Sequence, residues 1–377
     1  MNVNSFKSEL VQVDLSLRYL PFCSFENVMK SIHGFEEVLE GYSVQRRPIN
    51  SYMIGSGPTR VLMWSQMHGN ESTSCKGLLD LMASMHRTCF RNILQSCTIV
   101  IVPMLNPDGA NAYTRVNANG VDLNRDAVNL TQPESRVLMS LFDRFTPHFC
   151  FNLHDQRSIF GAGLTGFPAA LSFLVPAADQ QKTCSHNRAV GRSILGSVVK
   201  GLTADLSNTV SQFDDHFNIN CFGDFFQSKG ATTMLFEAGQ LSTDYMRSDV
   251  RLYFSFALFL ALKRISSPKD FTENADFYTN LPQNMECYCD VILEKVKLQS
   301  SGKTISIGLT YNECLEQDDV VFRPSVSHID PIDPLFAFKI INDEINLFTE
   351  CDAIEADQLI ELLESNQSDL IKNLTII

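Results

Sequence analysis

The sequence predicts an α/β fold in which a mixed, mostly parallel central sheet is sandwiched by helices and followed by a smaller C-terminal α+β appendage. Three observations support this class. Short apolar runs alternate with longer segments of helical period between about residues 50 and 265. The run at 98–104 is continuously apolar, as expected for a strand covered on both faces. After about residue 288 the pattern changes to strand-like runs and prolines.

Runs rich in β-branched and aromatic residues are interpreted as strands, and segments with apolar residues at helical spacing as helices. The predicted strands of the main part are, in chain order, 15–20, 60–65, 98–104, 149–153 and 232–236. The predicted helices are, in chain order, 25–32, 75–94, 135–145, 168–178, 184–204 and 243–264. The third of these has a start signal, a Thr-Gln-Pro-Glu capping box at 131–134 with proline in the first turn.

A polar Ser-Ser-Pro-Lys-Asp turn at 266–270 separates the long last helix from the rest. We therefore expect a main domain at 1–270, with the segment 1–48 packed on it, and a small α+β domain at 275–377. The small domain has two strand-like runs, three prolines expected in loops and one helix. These features are 291–298, 303–309, Pro324, Pro331, Pro334 and 355–365.

Composition excludes several classes of partner. A formal net charge of −13 argues against nucleic acid or an anionic membrane as the main partner. The N-terminus lacks the basic and apolar regions of a signal peptide, and the strongest apolar stretch, at 253–262, is too short to span a bilayer. The 11 cysteines are odd in number and lack framework spacing. We expect a cytoplasmic protein with reduced thiols and leave its oligomeric state open.

A His-Gly-Asn-Glu motif at 68–71 lies between a predicted strand and a predicted helix. His68 and Glu71 therefore sit at a strand-to-helix turn, where open α/β sheets place their chemistry. Together with His154 at the end of a later strand, they form the set that a catalytic zinc needs, three protein ligands and one open position. The spacing within 68–71 alone is weak evidence, because it often arises by chance.

Further motifs follow in a fixed order, namely Asn-Pro-Asp-Gly at 106–109, Arg115, Asp-Leu-Asn-Arg at 122–125, and Glu237 after the strand at 232–236. Together with the first motif they resemble the zinc carboxypeptidase family (the M14 metallopeptidases) and its deacylase relatives. The resemblance covers about residues 50–265 and implies a zinc carboxypeptidase-like fold. It also implies one Zn²⁺ per chain, held by His68, Glu71 and His154.

The resemblance further implies a role for each polar residue of these motifs. Glu237 would take a proton from water and hand it to the leaving nitrogen. Asp122 would accept a hydrogen bond from His68 and fix its tautomer, and Arg115 would stabilise the oxyanion. Asn124 and Arg125 would bind the free carboxylate of the substrate. Purely structural roles remain as alternatives. Arg125 could pair with Asp126, and Asp122 could serve only to form a turn.

The chain departs from the digestive members of the family around the substrate. The stretch 211–218 has no lid tyrosine, and His216 is either its replacement or an ordinary loop residue. Tyr245 is expected to pack on a helix. Asp155 and Arg157 follow the last zinc histidine and are expected to add charge beside the site. Arg157 is either an ordinary surface residue or a second anion contact. The stretch 220–223 is expected to form the floor of the pocket that receives the substrate's side chain, and it contains no charged residue.

These residues predict a zinc-dependent metallocarboxypeptidase that cleaves an amide next to a free carboxylate in a short peptide or a muropeptide. An N-acyl amino acid deacylase of the succinylglutamate desuccinylase or aspartoacylase type is the alternative. The Pro-Asp-Gly turn favours the peptidase. A catalytically silent zinc-binding module is the third candidate. The appendage is expected to shield one edge of the cleft and to restrict substrates to short ones.

Overall fold

The computed structural model describes residues 1–267, 270–299, 301–330, 334–347 and 356–374. Strands in this part of the chain are β1 (Glu36–Tyr42), β2 (Pro48–Ile54), β3 (Thr59–Ser65), β4 (Cys97–Val102), β5 (Phe149–Asp155), β6 (Phe160–Ala162), β7 (Leu171–Leu174), β8 (Val210–Gln212), β9 (Thr232–Ala238), β10 (Asn284–Glu286), β11 (Tyr288–Leu298), β12 (Thr304–Glu316), β13 (Asp319–Ile329) and β14 (Phe336–Leu347). Helices are α1 (Val3–Glu9), α2 (Phe22–Met29), α3 (Ser72–Ser84), α4 (Arg91–Ser96), α5 (Pro107–Ala112), α6 (Pro133–Phe145), α7 (His186–Leu202), α8 (Phe222–Ser228), α9 (Ser248–Ile265), α10 (Ala275–Thr279), α11 (Ala356–Asn366) and α12 (Ser368–Leu374).

The central sheet has the strand order β1-β2-β4-β3-β5-β9-β7-β8. Its middle strands β4, β3, β5 and β9 are parallel, while β1, β2 and β7 join antiparallel neighbours. Side chains alternate between two cores along β3. Val61 and Met63 face the core that contains α3, α7 and α9, whereas Leu62 and Trp64 face the core with α6 and α8. The predicted mixed, mostly parallel sheet sandwiched by helices is confirmed.

The parallel middle strands all end at one edge of the sheet, and this edge brings the motif loops together. Gly69 shows how close the loops after β3 and β4 approach, since a Cβ atom there would lie 1.9 Å from the backbone of Gly109. Asn106 stabilises the same contact. Its side chain accepts from the Gly109 amide and donates to the Met67 carbonyl. The 106–109 motif, predicted as a turn, thus begins the short helix α5.

The N-terminal end of the chain packs on the helices α3 and α9 through α1 and an irregular stretch. Phe6 contacts Phe256 and Phe259 of α9. The predicted strand at 15–20 is wrong, because the backbone nearby bonds to side chains and not to a neighbouring strand. Arg251 donates to the carbonyls of Val13 and Leu15. The division into domains at 1–270 and 275–377 stays a prediction.

The C-terminal part forms a separate sheet of order β13-β12-β11-β14, with a core shared by α11 and α12. This agrees with the predicted appendage. Pro324 was expected in a loop but lies in the edge strand β13, where a missing amide donor can be tolerated. Pro334 lies in a turn, while Pro331 and residue 355 lie outside the described residues. Of the described helices, none has the length and apolar character to cross a membrane.

Three helix predictions need correction. The predicted helix at 168–178 contains β7, whose residues Leu171–Leu174 are fully buried and pair with β9. The helix predicted over 75–94 ends at Ser84, and α4 follows as a separate helix. The capping box does not form. Asp126 instead accepts from the backbone amides of Thr131 and Gln132, and Gln132 becomes the residue before α6.

Candidate active site

His68, Glu71 and His154 converge at the carboxyl edge of the sheet. One ligand atom from each residue lies within 4.8 Å of the others, and all three residues are buried. His68 Nδ1 lies 2.7 Å from Glu71 Oε1, and His154 Nδ1 lies 2.8 Å from Glu71 Oε2. The two Nδ1 atoms are 3.1 Å apart. The structure thus brings together the three residues predicted to hold a metal.

The chemistry of these donors fits a bound cation. His68 Nε2 lies 3.0 Å from Asp122 Oδ1, so in the neutral ring Nε2 carries the proton and Nδ1 carries a lone pair. That lone pair points toward a carboxylate and toward the Nδ1 atom of His154. Two imidazole nitrogens and a carboxylate at such short range need a proton or a metal cation between them to offset the repulsion of their lone pairs. Zinc accepts this set of ligands.

Glu71 is fixed by its neighbours. Its Oε2 atom also accepts from the Asp155 amide at 3.1 Å, and Oε1 accepts from Arg115 Nη1 at 3.2 Å. Burial disfavours the charged form, but the imidazoles of His68 and His154 hold the pKa of Glu71 well below its usual value. The carboxylate therefore remains ionised and able to bind a metal.

Asp122 links His68 to Arg115. Its Oδ1 atom contacts His68 Nε2, and Oδ2 accepts from the Arg115 guanidinium at 3.1 and 3.2 Å. Burial acts against the charged form, yet the hydrogen bond with His68 and the charges of Arg115 and Arg125 lower the pKa of Asp122. Arg115 is half-exposed and spans Asp122 and Glu71, so its guanidinium lies beside the ligand cluster.

Glu237 lies next to His154 on the neighbouring parallel strand, since the two residues are register partners in β5 and β9. Only 8% of Glu237 is exposed. Burial raises the pKa of Glu237 well above its usual value, and the nearby carboxylates Glu71 and Asp155 raise it further. A carboxyl group in this position can hold a proton near the ligand cluster.

Asn124 and Arg125 follow Asp122 in the chain and belong to a short 3-10 helix at Leu123–Arg125. Arg125 is exposed, and its Nη1 atom donates to the Asn124 carbonyl and contacts Cys221 Sγ at 3.1 Å. The alternative pair with Asp126 is absent from the described contacts, since Asp126 instead bonds the Thr131–Gln132 backbone. Arg125 thus keeps donors for an anion that enters the cleft.

Asp155 lines the cavity beside the ligand cluster, as expected, but it also has a structural role. It is buried, and its carboxylate accepts from the Thr73 and Ser74 amides at 2.7 Å each, at the start of α3. These bonds satisfy helix amides that have no partner within the helix. Asp155 therefore fixes the helix that follows Glu71. Arg157 is exposed and lines the cleft, where the prediction placed it.

A cavity of about 900 Å³ extends from the ligand cluster in two directions. Toward α8 it reaches Arg125, Cys221 and Asp224. Toward the C-terminal sheet it reaches Arg18 and Glu313. Sequence reasoning missed the last two, because no motif connects a residue of the N-terminal segment or of β12 with this edge of the sheet.

Asp224 lies one residue beyond the stretch 220–223, which was predicted to be uncharged. It is buried, and among the described residues no cation forms a salt bridge with it. Burial raises the pKa of Asp224 to about 7.

His216 is exposed and also lines the cleft, so a role at its mouth stays open. Tyr245 packs against Tyr311 and Phe322 of the C-terminal sheet and donates to Asp290, which differs from the expected helix packing.

Comparisons with known proteins agree with this architecture. Residues 33–157 match the zinc carboxypeptidase family model, a stretch that contains His68, Glu71, Arg115 and His154 and ends before Glu237. In solved structures, the chain is similar to a metallo-carboxypeptidase from Burkholderia cenocepacia, with a TM-score of 0.54 and 15% identity over 66% of this chain and 70% of that one. The resemblance seen in the sequence is confirmed.

Curated relatives share shorter stretches. A probable carboxypeptidase 2 of Arthroderma benhamiae is 29% identical over 149 residues, which are 38% of this chain and 27% of the relative. Carboxypeptidase 2 of Trichophyton tonsurans is 31% identical over 98 residues, 26% of this chain and 18% of the relative. The chain thus spans about a quarter or less of the length of these relatives.

Proposed function

We propose that this chain, whose residues 33–157 match the zinc carboxypeptidase family, is a zinc-dependent metallocarboxypeptidase that cleaves the amide next to a free carboxylate in a short peptide. The convergence of His68, Glu71 and His154 beside Glu237 carries the proposal. A zinc ion at this cluster would supply a Lewis acid and lower the pKa of a water molecule. Muropeptides are a second substrate class to test. N-acyl amino acids belong to the deacylase alternative.

The surrounding side chains suggest a division of labour. Arg125 and Asn124 bind the terminal carboxylate of the substrate, because a guanidinium fork matches a carboxylate. Arg115 stabilises the negative charge that develops on the scissile carbonyl oxygen. Glu237 takes a proton from water and donates it to the leaving nitrogen, a task that its position beside His154 on the neighbouring strand supports. Asp122 holds His68 in the tautomer that presents Nδ1.

A cytoplasmic location is part of the proposal. Ten cysteines in the described residues are free thiols, and five of these are buried. Reduced thiols are usual for cytosolic proteins. Fractionation of cells that express the tagged protein tests this location, and recovery from the medium would contradict it.

The variant Glu237→Gln tests the enzymatic function. Zinc-loaded wild type and variant are screened by mass spectrometry against short L-peptides, γ-D-glutamyl muropeptides and N-acyl amino acids. We expect hydrolysis by the wild type, loss of hydrolysis in the variant and about one zinc per chain in both, measured by elemental analysis. Glu36→Gln, at an exposed position of β1, is the matched control and should retain activity.

Equal activity of Glu237→Gln and wild type would exclude the proposed mechanism. Zinc content near one per chain without hydrolysis of any substrate would favour the non-catalytic module. Hydrolysis confined to N-acyl amino acids would favour the deacylase.

A further inference from the structure

The C-terminal sheet supplies one wall of the active-site cavity. Tyr311 and Glu313 of β12 line the same cavity as His68 and Glu237. Glu313 and Phe322 are opposite each other in the β12–β13 pair, and Phe322 packs with Tyr19 and Tyr113 of the main part. This face of the small sheet therefore lies against the catalytic core.

Glu313 is held at this wall by two residues from the main part. Its Oε1 atom accepts from Arg18 Nη2 at 3.3 Å, and Oε2 accepts from the Tyr113 hydroxyl. The side chain keeps 27% of its surface exposed. Burial disfavours its charged form, but Arg18 and Arg247 lower the pKa of Glu313, so it is a carboxylate. Each oxygen has acceptor capacity beyond these bonds.

Glu313 and Arg125 lie toward different ends of the cleft. Arg125 contacts Asn124 and Cys221, on the side of α8. Glu313 contacts Arg18, which itself bonds Asp155, the residue after His154. Contacts lead from Arg18 through Asp155 to Glu71. On the other side they lead from His68 through Asp122 to Asn124, the neighbour of Arg125, so the ligand cluster separates Glu313 from Arg125. A peptide with its carboxylate at Arg125 and its scissile bond at the cluster therefore directs its amino end toward Glu313.

We propose that Glu313 binds the free α-ammonium group of a short peptide, so that the C-terminal sheet selects substrates by both their amino end and their length. This inference rests on the proposed carboxypeptidase function. An ammonium–carboxylate hydrogen bond is charge-assisted and therefore strong. A cavity of about 900 Å³ also suits a ligand of a few residues. An N-acyl group would leave Glu313 facing a neutral or an anionic end.

The test compares peptides that differ only at the amino end. Zinc-loaded wild type is assayed on peptides of two to five residues with free, N-acetyl and N-succinyl amino ends. We expect kcat/KM to be at least about tenfold higher for the free-amino di- and tripeptides. Glu313→Gln should lose this preference while it still hydrolyses the N-acetyl peptides. Glu294→Gln, a matched change at an exposed position of β11, should keep the preference.

Several results would overturn the inference. Equal rates for free and N-acetyl peptides, or a preference for N-succinyl ones, would do so while the proposed hydrolase function stands. If Glu313→Gln lowers kcat/KM equally for the free, N-acetyl and N-succinyl peptides, then Glu313 has only a structural role through its bond to Arg18. Thermal melts of the variant show whether it folds. The comparison in the wild type needs no variant. Failure to hydrolyse any peptide would exclude the proposed function and this inference together.

Discussion

The Nε2 atom of His68 lies 3.0 Å from Asp122 Oδ1, while the Nδ1 atom of the same ring lies 2.7 Å from Glu71. One side of the imidazole is thus engaged by a carboxylate, and the other is free to donate a lone pair to a metal. Such outer carboxylates orient a metal-binding histidine and raise its basicity. Arg115 contacts Asp122 from the solvent side and restrains it.

We predict that Asp122→Asn weakens zinc binding by about 10- to 100-fold. An amide can still accept from Nε2, but it carries no charge to raise the basicity of His68. Competition with a chromogenic chelator measures the affinity. Asp143→Asn, at an exposed position of α6, is the matched control. Unchanged zinc affinity in Asp122→Asn would mean that Asp122 only shapes its own turn and does not tune His68.

Arg125 gives a prediction on carboxylate recognition. Peptides with a C-terminal carboxylate should be cleaved faster than their carboxamides, and Arg125→Ala should remove most of this difference, about 10- to 150-fold in kcat/KM. Arg157→Ala tests the second anion contact and should have a smaller effect, because it is Arg125 that is oriented in the cleft by contacts with the Asn124 carbonyl and Cys221 Sγ. A larger loss in Arg157→Ala than in Arg125→Ala would reverse the two assignments.

The sequence predicted the sheet and the ligand cluster because both depend on local patterns. Continuous apolar runs mark buried parallel strands, and each of His68, His154 and Glu237 lies within or just beyond the end of such a run. Parallel strands place these ends at one edge, so the order of motifs implied their proximity. The structure agrees on this point.

What the sequence could not predict depends on contacts between distant segments. β7 is a short buried strand whose apolar residues also fit a helix, and only pairing with β9 decides between the two. Arg18 and Glu313 are nearly 300 positions apart and meet at the cleft because the C-terminal sheet packs against the N-terminal segment. Asp155 lines the cavity as expected, but spacing does not reveal that its carboxylate binds the first amides of α3.

The buried pair of Asp80 and Arg251 predicts a large effect on stability. Arg251 binds both carboxylate oxygens of Asp80 at 2.6 and 2.7 Å, and Asp80 also accepts from the Val13 amide. Asp80→Ala should lower the free energy of unfolding by roughly 3 to 5 kcal/mol, because it leaves a buried guanidinium without its partner. Chemical denaturation measures the change.

The exposed pair of Arg323 and Glu316 provides the control for this prediction. Arg323→Ala should leave the free energy of unfolding nearly unchanged, since exposed ion pairs contribute little. An equally small effect of Asp80→Ala would mean that the bonds from Arg251 to the Val13 and Leu15 carbonyls are enough to hold the buried guanidinium.

Asp224 predicts how stability changes with pH. Burial raises the pKa of this acid from 3.8 to about 7 in the folded protein. Between these values the unfolded chain releases the proton while the folded protein keeps it, so the folded state binds more protons and stability falls as pH rises. Above pH 7 both states are ionised and the loss is complete. A difference of about three pH units corresponds to at most roughly 4 kcal/mol.

Asp224→Asn cannot titrate and should escape this loss. We expect the stability of the variant relative to wild type to increase from pH 4 to pH 7 and then to level off, as measured by urea denaturation at fixed ionic strength. Asp143→Asn, which is exposed, should show no such trend. If the curves for Asp224→Asn and wild type run parallel across this range, then Asp224 titrates as an ordinary aspartate, and solvent or a cation must reach its carboxylate through the cleft.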